Sequence, residues 1–231
     1  MTDQPPHVDA SALRAALRPY LSRESGEWLP IEKRFEEYFS DRYTGAAFET
    51  FGASRFDPCA ITGDDLVAVT MLSIEIRRTT RSGIKCSAAV ELDRAAGQVG
   101  DLLQLIPIDQ PLHTLTAEEF ERWLGPGSPS DRLYSVLDGA GVPRVARHKL
   151  MARKRPHLFP VRDTVVERAL GMAKSELWWR PWWEALAGDR SLVDELAAIR
   201  HRARAEHLSI VRTADIAVWG AEMMPRPGTQ G

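Results

Sequence analysis

From Ser128 onward the chain repeats one pattern, apolar residues at helical spacing cut into short runs by Gly and Pro. That pattern fits packed helices and predicts them over 129–138, 143–154, 163–172, 175–187, 190–206 and 211–223. Upstream, DASALRAALRPYL opens on capping residues and puts Leu13, Ala16, Leu17 and Tyr20 on one face. PIEKRFEEYFSDRY carries Pro30 near a helix start, with Ile31, Phe35 and Tyr38 at helical spacing. In TGDDLVAVTMLSIEI, Thr62 suits a cap, and Asp64 and Asp65 suit the positive end of a helix dipole. The later part of that run, rich in Val, Thr and Ile, fits a strand equally well. QVGDLLQLIP and TAEEFERWLG read as short amphipathic helices, the second with a Thr-x-x-Glu capping signature. The expected architecture is an all-α helical bundle, a single helical domain over 1–231, with at most one short hairpin around 73–92 and flexible ends at 1–8 and 225–231.

Charge along the chain is uneven. The 24 residues between Asp138 and Asp163 hold no acid and carry +7, from Arg144, Arg147, Lys149, Arg153, Lys154, Arg155 and Arg162, in a chain whose net charge is −2. A concentration of that kind points to an anionic partner. Within it, SDRLYSVL forms one helix, DGAGVP a tight connection in which Gly139 and Gly141 supply positive φ, and PRVARHKLMARK a second helix begun by Pro143. A helix–hairpin–helix over 129–154 presents backbone N–H groups at a helix N-terminus, where phosphate oxygens bind. Arg144, Arg147, His148 and Lys154 share one side of the second helix, while Val145, Ala146 and Leu150 face a core. With Lys149, Arg153 and Arg155 they compose a candidate surface for tracking a nucleic-acid backbone.

The same residues resemble the helix-hairpin-helix motif of the DNA glycosylase superfamily, the group that includes endonuclease III-like and alkyladenine glycosylases. Its elements match Leu137, Gly139-Ala140-Gly141, the basic helix from Arg144 to Lys154, the connection Leu158-Phe159-Pro160-Val161, and Asp163-Thr164-Val165-Val166 with Arg168. The interval to Asp163 is 24 residues from Gly139 and 22 from Gly141, similar to the superfamily's spacing. The resemblance implies a two-lobed fold and duplex DNA as partner. It also implies a candidate monofunctional DNA glycosylase, in which Asp163, heading the helix 163–172, stabilises the sugar cation or positions water. Pro143 or Val145 stands where bifunctional members carry a Schiff-base lysine, so strand cleavage by that route is not expected, and no Cys cluster follows for an iron–sulfur site. In the 22-residue register Pro143 also replaces the second hairpin glycine and removes a backbone donor. Most of the chain further resembles an actinobacterial family of unknown function, on ITGDDLVAVTMLSIEI, GSPSDRLYSVLD, KLMARKRPHLFPVRD and SIVRTADIAVWG.

Base excision would need an aromatic pocket, and ELWWRPWWEAL offers Trp178, Trp179, Trp182 and Trp183, with Tyr43, Phe48 and Phe51 as companions. Large aromatics of this kind are usually core or interface residues. The helix IRHRARAEHL, with Arg200, Arg202 and Arg204, is a second basic face that solvent alone can accommodate; His201 and His207 are too far apart for a helical metal pair. No metal or cofactor is expected. Cys59 and Cys86 read as buried thiols of a reducing cytoplasm. The chain shows no secretory pattern and no apolar run of the roughly 20 residues that a membrane span needs. Two other readings stay open: a non-catalytic DNA-binding or lesion-sensing module, and a helical scaffold whose basic stretch meets an acidic protein.

Overall fold

A computed structural model of the chain describes residues 9–22, 28–74, 76–77, 84–172 and 178–224. The elements in chain order are α1 (Ala10–Leu21), α2 (Ile31–Tyr38), α3 (Gly63–Thr70), β1 (Ile76–Arg77), β2 (Ile84–Lys85), α4 (Cys86–Arg94), α5 (Ala96–Leu105), α6 (Ala117–Leu124), α7 (Pro129–Gly139), α8 (Arg144–Lys154), α9 (Thr164–Ala169), α10 (Trp179–Ala187), α11 (Arg190–Arg202) and α12 (Ile210–Met223). Short 3₁₀ turns occupy 44–47, 53–55 and 112–114. The fold is all-α apart from the pairing of β1 with β2. The ends at 1–8 and 225–231 lie outside the described residues.

Cap chemistry explains the main departures from the sequence reading. Thr62 and Asp65 form a reciprocal capping box that starts α3 where the capping residues predict it, and the strand alternative for the later part of the run survives only as β1. The short hairpin allowed around 73–92 is not what the described residues form: β1 and β2 pair in parallel, Ile76 with Ile84 and Arg77 with Lys85, and 86–94 is α4, which buries Ala88 and Leu92 at helical spacing. Helix 163–172 shortens to α9 because Gly171 takes φ +69 and the Met172 N–H reaches back to the Glu167 carbonyl at 2.7 Å. Helix 190–206 ends at Arg202 because Arg204 adopts φ +53 without being glycine, and the Ala205 N–H closes on the Arg200 carbonyl. Of the expected helix 175–187, residues 175–177 lie outside the described residues, and Trp179–Ala187 is α10.

The chain divides into two compact units. The first comprises 1–42, 111–114 and 160–231. Its centre is α12, buried along nearly its whole length, the Arg212–Asp215 ion pair included, with α1, α2, α9 and α11 packed on it. Gly220 of α12 admits the stem of Arg34, whose Cβ would lie 3.2 Å from a Cβ at that position. The Arg34 side chain is fully buried and donates to the carbonyls of Leu29, Tyr20 and Ala217 at 2.9, 2.9 and 2.7 Å. Burial pushes its pKa down to about 10. The second unit comprises 43–110 and 115–159, with α5 and α6 packed on α7, α7 on α8, and α3 on α8. Leu133 and Leu137 of α7, and Ala146 and Leu150 of α8, face that unit's interior.

Tyr20 of α1 gives the first unit a measurable alkaline signature. Burial, aided by the hydrogen bond its hydroxyl donates to Glu222 at 2.8 Å, pushes its pKa up to about 12, against about 10 in an unfolded chain. A phenol that stays protonated in the fold stabilises below the unfolded pKa, and that contribution disappears as pH rises from about 10 through 12. Arg34 works in the opposite sense, because its folded-state pKa is the lower one. The difference between the wild type and Tyr20→Phe isolates the phenol. In urea melts across that range, the wild type is expected to lose stability more steeply with pH than Tyr20→Phe; parallel curves would mean that the hydroxyl is hydrated.

Candidate nucleic-acid interface

The α7–α8 hairpin forms as its residues dictate. Ser128 caps α7 and accepts the Asp131 N–H at 3.3 Å, and Pro129 fills the first turn. At the other end the chain closes in a Schellman turn, with the Val142 N–H on the Leu137 carbonyl at 3.0 Å and the Gly141 N–H on the Asp138 carbonyl at 2.8 Å. Gly141 has φ +78, the left-handed conformation this turn requires. Gly139 is helical, the last residue of α7, so the expectation that both glycines supply positive φ holds for Gly141 alone.

The turn also narrows the expected amide cup. The N–H groups of Ala140, Gly141 and Val142 point back onto α7, and Pro143 has none. The first turn of α8, residues 144–146, carries the N–H groups that a helix start leaves without intrahelical acceptors. Pro143 offers them no side-chain oxygen, and no acid lies in that turn. Arg144 is exposed beside it, as are Gly139 and Gly141. Arg147 is half-buried: its guanidinium lies 4.2 Å from the Tyr134 ring centroid, and its Nη1 is 2.8 Å from Asp138 Oδ1.

The rest of the basic run turns inward. His148, Lys149, Arg153, Lys154 and Arg155 are all buried, contrary to the solvent-facing stripe expected of them. His148 packs on Tyr134, with ring centroids 5.0 Å apart. Lys149 donates to the Leu72 carbonyl at 2.6 Å. Arg153 donates to the carbonyls of Phe48 and Phe51. Lys154 donates to the Asp57 carbonyl at 2.9 Å and pairs with Asp65 at 2.5 Å. Arg155 donates to the carbonyls of Ile106, Pro58 and Leu103. Desolvation lowers the pKa of Lys154, against the opposing pull of Asp65, and lowers that of Arg155. Most of these acceptors lie in 48–58 and 72, where 3₁₀ turns and bends leave carbonyls without helical donors, so long cationic side chains supply the missing bonds. The signal for this lay in the sequence, in an aperiodic segment 43–62 that must satisfy its backbone somehow.

The remaining candidates belong to the first unit. Arg162 is buried, pairs with Glu167 and stacks 4.9 Å from the Trp178 ring. Asp163 is half-buried and caps α9, with its Oδ1 accepting the Val165 N–H at 2.9 Å. Trp178 and Trp182 are core residues in an edge-to-face pair at 6.3 Å, and Trp178 donates to the Pro160 carbonyl; neither presents a face for a flipped base. Trp179 and Trp183 are half-buried. Tyr43, Phe48 and Phe51 belong to the second unit. The basic end of α11 is largely compensated, Arg202 by Glu32 at 2.8 Å, His201 by Glu206 at 3.0 Å and Arg200 by the Leu208 carbonyl. His207 lies against Phe39. Cys59 is half-buried rather than buried.

No described helix is long and apolar enough to cross a membrane. No curated protein and no solved structure matches the chain. One family pattern does, over residues 31–222: a family of unknown function (DUF6308). Because that match covers most of the chain, with all of the second unit and the whole α7–α8 hairpin, the protein belongs to this family.

Proposed function

We propose that the chain binds duplex DNA by its sugar–phosphate backbone, through the α7–α8 hairpin. One observation carries the reading. The C-terminal half of α8 is locked into the fold by its buried cations, while its N-terminal turn, the positive end of the helix dipole, stands at the surface with Arg144 beside it. A helix held in this way offers a fixed donor set to a phosphate oxygen without paying to order it on binding. The two-unit division of the chain is in keeping with the two-lobed architecture of the superfamily that the motif resembles. Contacts confined to phosphate are expected to be indifferent to sequence. Fluorescence anisotropy with short mixed-sequence duplexes at low ionic strength tests the reading, and no binding there would end it.

A second reading, base excision, is favoured by Asp163, a half-buried carboxylate at the start of α9, the position that the motif resemblance gives to the catalytic acid. Asn is as good a helix cap as Asp, so Asp163→Asn removes the charge and spares the fold. Release of bases from a panel of modified duplexes is expected for the wild type and not for this variant. Equal release by both would take Asp163 out of the chemistry.

A further inference from the structure

Arg147 is the second cation of the hairpin, and its charge already has an occupant. Asp138, on the last turn of α7, places Oδ1 2.8 Å from Arg147 Nη1. The two ends of the pair differ in exposure: the Arg147 side chain is 12% exposed and the Asp138 side chain 66%. The guanidinium is further fixed by its stacking on Tyr134, so its direction is set by the fold and its anion is supplied from the solvent side. Its Nε is buried and has no hydrogen-bond acceptor among the described residues. A carboxylate on a guanidinium and a phosphate on a guanidinium use the same donors in the same plane.

Resting on the DNA reading above, we infer that Asp138 is a built-in competitor of phosphate, occupying Arg147 in the unbound protein and displaced when the DNA backbone arrives. The pair holds Arg147 aimed at the hairpin surface and sets a threshold that a DNA phosphate must overcome. Arg147 thereby becomes a phosphate contact only when an anion replaces the carboxylate. Asp138 is a positioning residue, and its effect on DNA runs through Arg147.

A double-mutant cycle tests this. Asp138→Asn is expected to tighten binding to a mixed-sequence duplex by about threefold to fivefold, the scale of a partly exposed ion pair. In an Arg147→Met background, which keeps a linear stem against Tyr134, the same substitution is expected to give no gain. Asp101→Asn, at an exposed acid of α5, controls for the change in net charge and is expected to move affinity less. Melting temperatures confirm that each variant folds, and Arg147→Gln closes the cycle if Arg147→Met does not. An equal gain in both Arg147 backgrounds would show that Asp138 acts by simple repulsion, and no gain in either would show that it does not compete; both overturn the inference while the DNA reading stands. Failure of the wild type and of Asp138→Asn alike to bind at low salt would instead overturn the DNA reading, and this inference with it.

Discussion

Replacing Asp65 with alanine is expected to cost the unit of residues 43–110 and 115–159 about 3–5 kcal/mol, the range for breaking a buried ion pair from one side. Asp65 is 1% exposed. It accepts from Thr62 N at 2.7 Å, meets Lys154 Nζ at 2.5 Å, and lies 3.4 Å from Arg153 Nε. Alanine there removes half of the box that starts α3 and leaves two buried cations without that carboxylate. Hydration cannot restore it unless α3 parts from α8. Urea unfolding with hydrogen exchange checks the outcome. The midpoint is expected to fall, and protection is expected to go first in α3 and α8, while α12 of the other unit keeps its own. Asp65→Asn is expected to be milder, because an amide oxygen still accepts the Thr62 N–H. A loss below about 1 kcal/mol, the size of an exposed pair, would show that the cluster is open to water.

That prediction marks the boundary of what the sequence makes legible. Periodicity and caps locate most helices well: the boxes at Thr62 and Thr116 and the hairpin over 129–154 stand where their residues place them. Helix ends set by left-handed residues are harder, since nothing in Arg204 announces φ +53. Charge is harder still. A run of cations on one helix reads as a surface, because solvated faces and binding faces look alike in one dimension. Here Lys149, Arg153, Lys154 and Arg155 face carbonyls of residues distant in sequence, from Phe48 to Ile106. Only the tertiary fold brings those acceptors to α8. The Trp178–Trp182 pair shows the same ambiguity between pocket and core, and burial decides for the core.

Arg144→Glu is expected to weaken duplex binding by about tenfold to a hundredfold, the worth of one charge-assisted hydrogen bond together with the repulsion put in its place. Arg144 is exposed at the first turn of α8 and belongs to no buried cluster, so the melting temperature is expected to hold. The loss should be uniform across duplex sequences, because phosphates carry no sequence information. Arg155→Met provides the contrast. Its side chain is fully buried on the carbonyls of Ile106, Pro58 and Leu103, so it is expected to lower stability while the folded fraction keeps its DNA affinity. If Arg155→Met weakened binding as much as Arg144→Glu in fully folded protein, the division of α8 into an internal half and a DNA-facing end would be wrong.

The salt dependence of duplex binding tests that division most directly. Each phosphate neutralised contributes about −0.9 to the slope of log affinity against log salt. Phosphate contacts from Arg144 and Arg147 predict a slope of about −2 for the wild type, and Arg144→Glu should bring it to about −1. A slope near −6, the value for all seven cations of the run acting on phosphate, would contradict the account, as would the absence of salt-dependent binding altogether.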